Sequence, residues 1–306
     1  MLEDRLLIAG TGAMACLFGA RLAPHADVTL LGSWPEGLEA LSHAGIRLDA
    51  DGTSTRARVR VTSDPAECGG ARMAVVLVKS WQTERTAAQL AGCLAGDGVA
   101  LTLQNGLGNL EHLQAALGIE RAALGVTTVG ATLLGPAHVR LGGLGPTYLA
   151  QHPRLEPLAA LLQEAEFEIQ LAQDLESLVW GKLAVNAGIN PITALQRMEN
   201  GGVLEHAEAR AVATAAAQEV AAVAAARGTD MPFQDAGEET LAVAQRTAHN
   251  RSSMYQDILR GAPTEVDAIC GAVVREGQKH GVPTPVNWTL WQMVRVLAAR
   301  QEEGVV

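Results

Sequence analysis

Three polar side chains recur at every fourth position of an otherwise apolar segment that runs from Trp180 to Ala194. They are Lys182, Asn186 and Asn190. On a helix of about 3.6 residues per turn this spacing places them on one narrow face, here called the polar stripe. Buried ammonium and carboxamide groups are costly unless they form hydrogen bonds. The pattern predicts either a polar network between helices or a site for a molecule with carbonyl, hydroxyl and carboxylate groups, and the three residues together favour the site.

A second pattern near the start of the chain is typical of dinucleotide binding. A Gly-x-Gly-x-x-Ala turn lies directly between a predicted strand and a predicted helix, and it consists of Gly10, Thr11, Gly12, Ala13, Met14 and Ala15. The first glycine permits the tight turn, the second lets the backbone approach a pyrophosphate, and Ala15 allows close packing of helix on strand. The N–H groups of the helix start then bind the phosphates. The alternative is an ordinary Gly-rich strand–helix turn.

The residue at the end of the second strand normally contacts the adenosine ribose of the dinucleotide and decides which cofactor is preferred. An acid there favours NAD, whereas an arginine accommodates the 2′-phosphate of NADP. This chain has Leu31, Gly32 and Ser33 at that place. Because Ser33 can hydrogen-bond either a hydroxyl or a phosphate group, these residues leave the choice between NADP(H) and NAD(H) open.

Four further residues are candidates because of where they fall in the predicted elements. Lys79 and Asn105 each follow a buried strand, at the edge where open α/β sheets bind ligands, and the alternatives are a surface lysine and a turn asparagine. We predict Glu265 one turn into a helix that begins near Pro263, where an acid also complements the helix dipole. Ser253 lies in a predicted helix whose two adjacent serines are not favoured by helix propensity.

The elements that must position these residues divide the chain into two predicted domains. Short apolar runs alternate with helical patterns in the first part, which predicts an α/β domain with a Rossmann-type parallel sheet at 1–172. Helical periodicity alone follows, which predicts an all-helical substrate and catalytic domain at 173–306. The predicted strands are Leu6–Ala9, Val28–Leu31, Met73–Val78, Val99–Leu103 and Ala122–Thr128, with a hairpin or irregular edge at Val139–Leu149. The predicted helices cover 175–196, 203–227, 234–260, 263–280 and 286–303.

Composition excludes several other classes of protein. A formal net charge of −10, with scattered basic residues, argues against a nucleic-acid surface and against docking on an acidic membrane. Charged residues interrupt the Ala-rich stretch 207–227, which predicts a soluble helix and not a membrane span. Four scattered cysteines (16, 68, 93 and 270) indicate reduced thiols, a cytoplasmic protein and no metal site. The apolar helices are compatible with a homodimer, although burial within two domains explains them equally well.

These motifs together resemble the ketopantoate reductases (2-dehydropantoate 2-reductases), over nearly the whole chain. The resemblance rests on the Gly-rich turn, on the polar stripe, and on the segments Leu77-Val-Lys79-Ser-Trp-Gln, Gln104-Asn105-Gly-Leu-Gly, Asn200-Gly, Ser252-Ser253-Met and Thr264-Glu265-Val-Asp. It implies NADPH-dependent reduction of 2-dehydropantoate to pantoate, a step towards pantothenate and coenzyme A.

The resemblance also implies roles for individual residues. Lys182 is similar to the family's general acid, and Glu265 joins it as an active-site residue. Asn105, Asn186, Asn190, Asn200 and Ser253 are similar to substrate contacts. The residues on the cofactor side are those of the Gly-rich turn together with Ser33, Lys79, Asn105, Ala131 and Glu265.

Two positions depart from the family pattern. Many members carry an arginine near Ser33, and a larger basic residue is frequent at Gly181, where we expect the change to matter little. The alternatives for function are a reductase of another 2-oxo acid, a 3-hydroxy acid dehydrogenase of similar two-domain build, or an NADP(H)-sensing protein without turnover.

Overall fold

A computed structural model describes residues 5–302, which form two compact units. The first unit contains residues 5–104 and 109–175. The second contains residues 176–302 together with the short segment 105–108. Four residues in the middle of the first unit's sequence, 105–108, therefore belong to the second unit, and Asn105 is one of them.

Twelve strands form two sheets within the first unit. The strands are β1 (Arg5–Ala9), β2 (Asp27–Leu31), β3 (Ile46–Ala50), β4 (Thr53–Ala57), β5 (Arg60–Thr62), β6 (Ala71–Val76), β7 (Leu94–Thr102), β8 (Ala122–Thr127), β9 (Gly130–Gly135), β10 (His138–Gly143), β11 (Thr147–Leu149) and β12 (Ile169–Leu171). The larger sheet has eight strands in the order β12-β11-β8-β7-β6-β1-β2-β5, and its six strands from β8 to β5 are parallel. The predicted Rossmann-type parallel sheet is confirmed.

The helices of this unit follow the strands as crossover connections. They are α1 (Ala13–Leu22), α2 (Pro35–Ala44), α3 (Thr83–Cys93), α4 (Asn109–Leu117) and α5 (Glu156–Glu164). The central strands are buried on both faces, as at Leu7, Ile8 and Val75, each with no exposed surface. Such continuous apolar runs are what a parallel sheet covered by helices requires.

The smaller sheet was not predicted. Its strand order is β4-β3-β10-β9, and its apolar face covers α1 through side chains such as Ile46, Leu48 and Val139. The segment predicted as one hairpin or irregular edge at Val139–Leu149 is divided between the sheets, because β10 pairs with β3 and β9 whereas β11 pairs with β8. The pairing of β10 with β3 joins distant parts of the chain, so local patterns do not reveal it.

The second unit is helical throughout its regular elements. Its helices are α6 (Leu175–Gln196), α7 (Gly202–Glu205), α8 (Ala207–Arg227), α9 (Ala236–Arg246), α10 (Ser253–Leu259), α11 (Cys270–His280) and α12 (Pro285–Glu302). The predicted helix at 175–196 has the observed bounds. Within residues 5–302, no helix has both the length and the apolar run needed to cross a membrane.

Three predicted helices of this unit were wrong in extent. The stretch 203–227 is interrupted at His206, whose extended backbone separates α7 from α8. The stretch 234–260 is interrupted between Arg246 and Ser253, where Asn250 accepts a hydrogen bond from the backbone of Asn200. The stretch 263–280 becomes helical only from Cys270. Before it, the carbonyl of Glu265 accepts from the N–H groups of Ala268 and Ile269, which closes a turn and not a continuous helix. Glu265 therefore lies outside the helix in which we predicted it.

Gly188 allows α6 to approach its neighbours closely. A Cβ at this position would lie 2.6 Å from Thr240 Cγ2 and 2.9 Å from the carbonyl oxygen of Ala213. We expect Gly188→Ala to lower the free energy of unfolding by about 1–3 kcal/mol, because the added methyl group overpacks the junction with α8 and α9. Urea unfolding followed by circular dichroism measures this change.

The matched control is Gly92→Ala in α3. An added Cβ at Gly92 meets no atom within 4 Å in the part of the chain that the structure describes. This substitution is expected to raise the free energy of unfolding by up to about 1 kcal/mol, because alanine loses less backbone entropy in a helix. Equal effects of the two substitutions would contradict the packing argument.

Candidate functional site

The Gly-rich turn is held between two strands of the large sheet. Gly10 has φ +132°, a conformation that side chains disfavour, and its N–H donates to the carbonyl of Leu31 at 2.7 Å. A Cβ on Gly10 would lie 3.1 Å from the carbonyl carbon of Leu77, just beyond β6. Glycine is required here for both reasons, and the turn is anchored beside the ends of β2 and β6.

Gly12 opens a space in front of α1. It is the N-cap residue of that helix, and a Cβ built on it has no neighbour within 4 Å among residues 5–302. Ala13, Met14 and Ala15 form a first turn without an acid, and Ala15 is fully buried against the core. An uncapped helix start with free space before it suits a pyrophosphate group, so this arrangement fits a bound dinucleotide.

Lys79 lies at the carboxyl edge of the same sheet. The chain runs from β1 to β2 and β5 on one side and continues with β6 and β7 on the other, so the order reverses between β1 and β6. Open α/β sheets bind ligands at such a reversal. Lys79 follows β6 and precedes a short 3₁₀ turn, where its N–H donates to Gln82 Oε1 at 3.3 Å.

Ser33 follows β2 at this edge and has a partner that the sequence did not reveal. The guanidinium of Arg85, in the first turn of α3, donates from Nη2 to Ser33 Oγ at 2.9 Å. The two residues are 52 positions apart. Both residues follow strands of the same parallel sheet, β2 and β6, which flank β1, but no local pattern identified Arg85 itself. Ala131 lies elsewhere, on β9 of the small sheet, partly buried against the core.

The helical unit carries the polar stripe on α6. Lys182 and Asn186 are partly exposed and Asn190 is buried, while Leu183 and Ala187 on the remaining faces belong to the core. Helical periodicity therefore aligns three polar groups on a helix that is otherwise packed on apolar side chains, as the spacing indicates.

Glu265 acts electrostatically on Lys182. Although Lys182 is partly exposed, the desolvation that comes with its partial burial lowers its pKa to about 8, and the carboxylate of Glu265 opposes this shift by attracting the ammonium form. Glu265 is itself buried, with 6% of its surface exposed. An ammonium group whose pKa lies this close to neutral pH suits proton transfer at a functional site.

Asn105 is held against the same carboxylate. Its Nδ2 donates to Glu265 Oε2 at 3.4 Å, and the N–H of Leu107 donates to the carbonyl of Ala268 at 3.0 Å. Gly106 has φ +81°, and a Cβ on it would lie 2.4 Å from that carbonyl oxygen. Segment 105–108 therefore packs directly on the turn that carries Glu265, which brings Lys182, Glu265 and Asn105 into one cluster.

Asn200 and Ser253 lie near the end of the polar stripe. Asn200 Nδ2 donates to Thr247 Oγ1 at 2.9 Å, while its buried Oδ1 has no hydrogen-bond partner among residues 5–302. Ser252 caps α10 by accepting from the Tyr255 N–H at 3.1 Å, so this serine has a structural role. Ser253 begins the helix and is partly exposed.

Ser252 also connects α10 to α6. Its Oγ lies 2.7 Å from Thr193 Oγ1, one turn beyond Asn190. The start of α10 is thereby fixed beside the end of the polar stripe, which places Ser253 near that part of α6.

Gly181, beside Lys182, fits closely against a neighbouring segment. A Cβ at this position would lie 2.5 Å from Pro232 Cγ and 3.2 Å from Phe233 Cε1. A larger residue beside Lys182 requires the Pro232–Phe233 segment to move, so this segment and the glycine fit each other.

Burial makes Cys16 and Cys270 poor candidates for reactive thiols. All four cysteines are buried, and burial raises the pKa of Cys16 to about 12 and also raises the pKa of Cys270. A thiol is a poor nucleophile and a poor metal ligand when its pKa is raised. Across residues 5–302, no group of three His, Cys, Asp or Glu side chains is placed to hold a metal ion.

Comparison with known proteins covers both units. Residues 6–154 match the family described as ketopantoate reductase PanE/ApbA, and residues 174–298 match its C-terminal domain. The chain belongs to the ketopantoate reductase family. A relative from Archaeoglobus fulgidus named 2-dehydropantoate 2-reductase is 38% identical over 300 residues, which are 96% of this chain and 98% of the relative.

Solved structures agree with the family assignment. The ketopantoate reductase of Ralstonia eutropha JMP134 has a TM-score of 0.90 and 29% identity, covering 97% of this chain and 99% of that one. D-Mandelate dehydrogenase, solved with NADH and anilino(oxo)acetate, has a TM-score of 0.89, covering 96% of this chain and 98% of that one. At 24% identity, the latter similarity concerns the fold alone.

Proposed function

We propose that this protein reduces 2-dehydropantoate to pantoate with NADPH, and that Lys182 is the general acid. One observation carries the assignment of Lys182. The pKa of the Lys182 ammonium group is lowered to about 8, and the buried carboxylate of Glu265 acts on this pKa. The group is aligned with the carboxamides of Asn186 and Asn190 in a chain of the ketopantoate reductase family. Relatives named 2-dehydropantoate 2-reductase support the substrate.

Lys182 acts on the ketone oxygen. Negative charge develops on this oxygen as the ketone carbon is reduced, and an adjacent ammonium group stabilises the charge and then donates its proton. NADPH supplies the hydride when it is bound at the Gly-rich turn. Because the pKa of Lys182 is about 8, the group is mostly protonated at neutral pH and still transfers a proton readily.

The carboxamides of the polar stripe position the substrate. Asn186 and Asn190 hold its hydroxyl and ketone groups, and Ser253 binds its carboxylate, while Asn200 and Asn105 provide further contacts. The buried Oδ1 of Asn200 is available for such a contact, because its Nδ2 already donates to Thr247. Glu265 orients the ammonium group of Lys182 or the substrate hydroxyl, and the hydrogen bond from Asn105 holds that carboxylate in place.

A substrate panel tests this function. NADPH oxidation at 340 nm is measured with 2-dehydropantoate and with 3,3-dimethyl-2-oxobutanoate, which lacks only the 4-hydroxyl group. We expect kcat/KM to favour 2-dehydropantoate by at least about 10², because carboxamides placed for the hydroxyl are left unpaired by the analogue. Higher kcat/KM with another 2-oxo acid would assign the protein to that acid instead. Tight cofactor binding without oxidation by any oxo acid would indicate a sensor.

A further inference from the structure

Many members of the family carry an arginine near position 33, just after the second strand, where this chain has a serine. Arg85 brings a guanidinium group to that place. Its Nη2 donates to Ser33 Oγ at 2.9 Å, and both side chains are exposed. A guanidinium group has five N–H donors in a planar fork, so one hydrogen bond to a serine leaves most of them available. The hydroxyl of Ser33 accepts from Arg85 and still has its own proton to donate.

This pair lies next to the phosphate-binding turn. A Cβ on Gly32 would lie 2.4 Å from Thr11 Cγ2, so the backbone that leads into Ser33 touches the Gly-rich turn directly. The hydrogen bond from Gly10 to Leu31 joins the same two segments at 2.7 Å. In this fold the adenosine ribose lies at the end of the second strand, next to the pyrophosphate at the helix start.

The geometry points to Arg85 and Ser33 as the binding site for the 2′-phosphate of the adenosine ribose. This inference rests on the proposed function, because it assumes that a phosphorylated dinucleotide binds at the Gly-rich turn. An acid at position 33 would repel a 2′-phosphate, whereas Ser33 does not. The cation comes from the first turn of α3, in a different crossover from the one that follows β2. Arg85 is therefore the residue that selects NADPH over NADH.

Two acidic residues lie near Ser33 and Arg85 in the sequence, but their negative charges do not prevent Arg85 from binding a phosphate group. Glu84 adjoins Arg85, and Glu36 lies in the first turn of α2; both are exposed. Exposed carboxylates are screened by solvent, and a phosphate dianion competes for a guanidinium fork through paired, charge-assisted hydrogen bonds.

Cofactor binding without substrate tests the inference. Dissociation constants of NADPH and NADH are measured by fluorescence titration of the intact chain and of Arg85→Ala. We expect Arg85→Ala to raise the Kd of NADPH about tenfold or more, the range for losing a charge-assisted hydrogen bond, and to leave the Kd of NADH unchanged. Equal effects on both cofactors, or no effect on either, would overturn the assignment.

A matched control removes a different arginine of the same unit. Arg58 is exposed and lies two residues before β5, which runs parallel to β2, so it lies towards the opposite edge of the sheet. Arg58→Ala is expected to change neither dissociation constant. A loss of NADPH affinity in this control equal to that in Arg85→Ala would show a general charge effect and would contradict a specific site.

Adenosine 2′,5′-bisphosphate provides a second probe. It is expected to compete with NADPH for the wild-type protein more strongly than adenosine 5′-monophosphate does, and this advantage is expected to disappear in Arg85→Ala. Ser33→Asp is expected to weaken NADPH and spare NADH, because it places a negative charge beside the 2′-phosphate. An unchanged advantage of the bisphosphate in Arg85→Ala would overturn the inference.

These measurements separate the inference from the proposed function. They contain no substrate and record no turnover, so an inactive protein with an Arg85-dependent preference for NADPH would retain the 2′-phosphate site and lose the proposed reaction. An active reductase whose Arg85→Ala variant keeps its preference for NADPH would retain the reaction and lose this site.

Discussion

Lys182→Ala is expected to lower kcat by at least about 10², because general acid catalysis typically contributes 10²–10⁴ to the rate. The substitution removes the ammonium group that we propose as the general acid, while the Gly-rich turn that we propose binds the cofactor is untouched. We therefore expect the Kd of NADPH to stay close to that of the wild type. Steady-state kinetics at 340 nm and cofactor titration measure the two quantities separately.

Lys279→Ala is the control for this prediction. Lys279 is an exposed lysine of α11 that donates to Glu276 Oε1 at 2.6 Å, in the same unit as Lys182. Its removal is expected to leave kcat unchanged. A kcat of Lys182→Ala close to that of the wild type would remove Lys182 from the mechanism.

The lowered pKa of Lys182 also predicts a stability cost. The unfolded chain keeps this proton up to about pH 10.5, whereas the folded chain releases it near pH 8. The unfolded state therefore binds more protons between these values, so stability rises with pH across this window and the cost is fully present below pH 8. Removing both charges in Lys182→Met/Glu265→Gln is expected to raise the free energy of unfolding at pH 7 by about 1–3 kcal/mol.

Urea unfolding of the double variant measures this gain. The single variant Lys182→Met is the necessary comparison, because it leaves the buried carboxylate of Glu265 without the ammonium charge and is expected to be less stable than the double variant. A double variant less stable than the wild type would show that the two charges contribute net stability to the fold.

Glu265→Gln is expected to move the alkaline limit of kcat to lower pH. In the wild type, kcat is expected to fall as the pH passes about 8, because Lys182, the proposed general acid, loses its proton. The carboxylate of Glu265 raises the pKa of Lys182, so its replacement by an uncharged amide lowers that pKa further. Profiles of kcat between about pH 6 and pH 10 show the shift, and a further loss of rate is expected at pH 8.

Glu276→Gln is the matched carboxylate control. Glu276 is also poorly exposed and lies in the helical unit, but it is near Arg227, Lys279 and His280, and it is not near Lys182 in the sequence. Its replacement is expected to leave the pH profile of kcat unchanged. An alkaline limit that does not move in Glu265→Gln would show that this carboxylate has no influence on the group that titrates.

The sequence predicted the elements whose determinants are local. One short segment around Gly10 and Gly12 determines a strand, a glycine turn and a helix. Its sequence is informative because each position has a backbone or packing requirement that few residue types meet. The polar stripe on α6 is equally local, since its spacing matches one helical turn. These two segments indicated both the proposed cofactor turn and the proposed acid.

The sequence failed where long-range contacts decide the structure. The small sheet pairs β3 with β10, and these strands are far apart in the chain. Glu265 was placed in a helix because helical periodicity resumes after Pro263, yet backbone hydrogen bonds close a turn there instead. Local propensity does not distinguish the two outcomes when tertiary contacts hold the turn.

By itself, the sequence determined the fold class, the Gly-rich turn and the alignment of Lys182, Asn186 and Asn190, because backbone conformation and helical spacing are properties of neighbouring residues. Only the tertiary structure decided that Asn105 joins the helical unit beside Glu265, and that Arg85 reaches Ser33. Those contacts join positions that are distant in the chain. They depend on how strands and helices pack, which is a cooperative outcome of the whole core and is not written in any one segment.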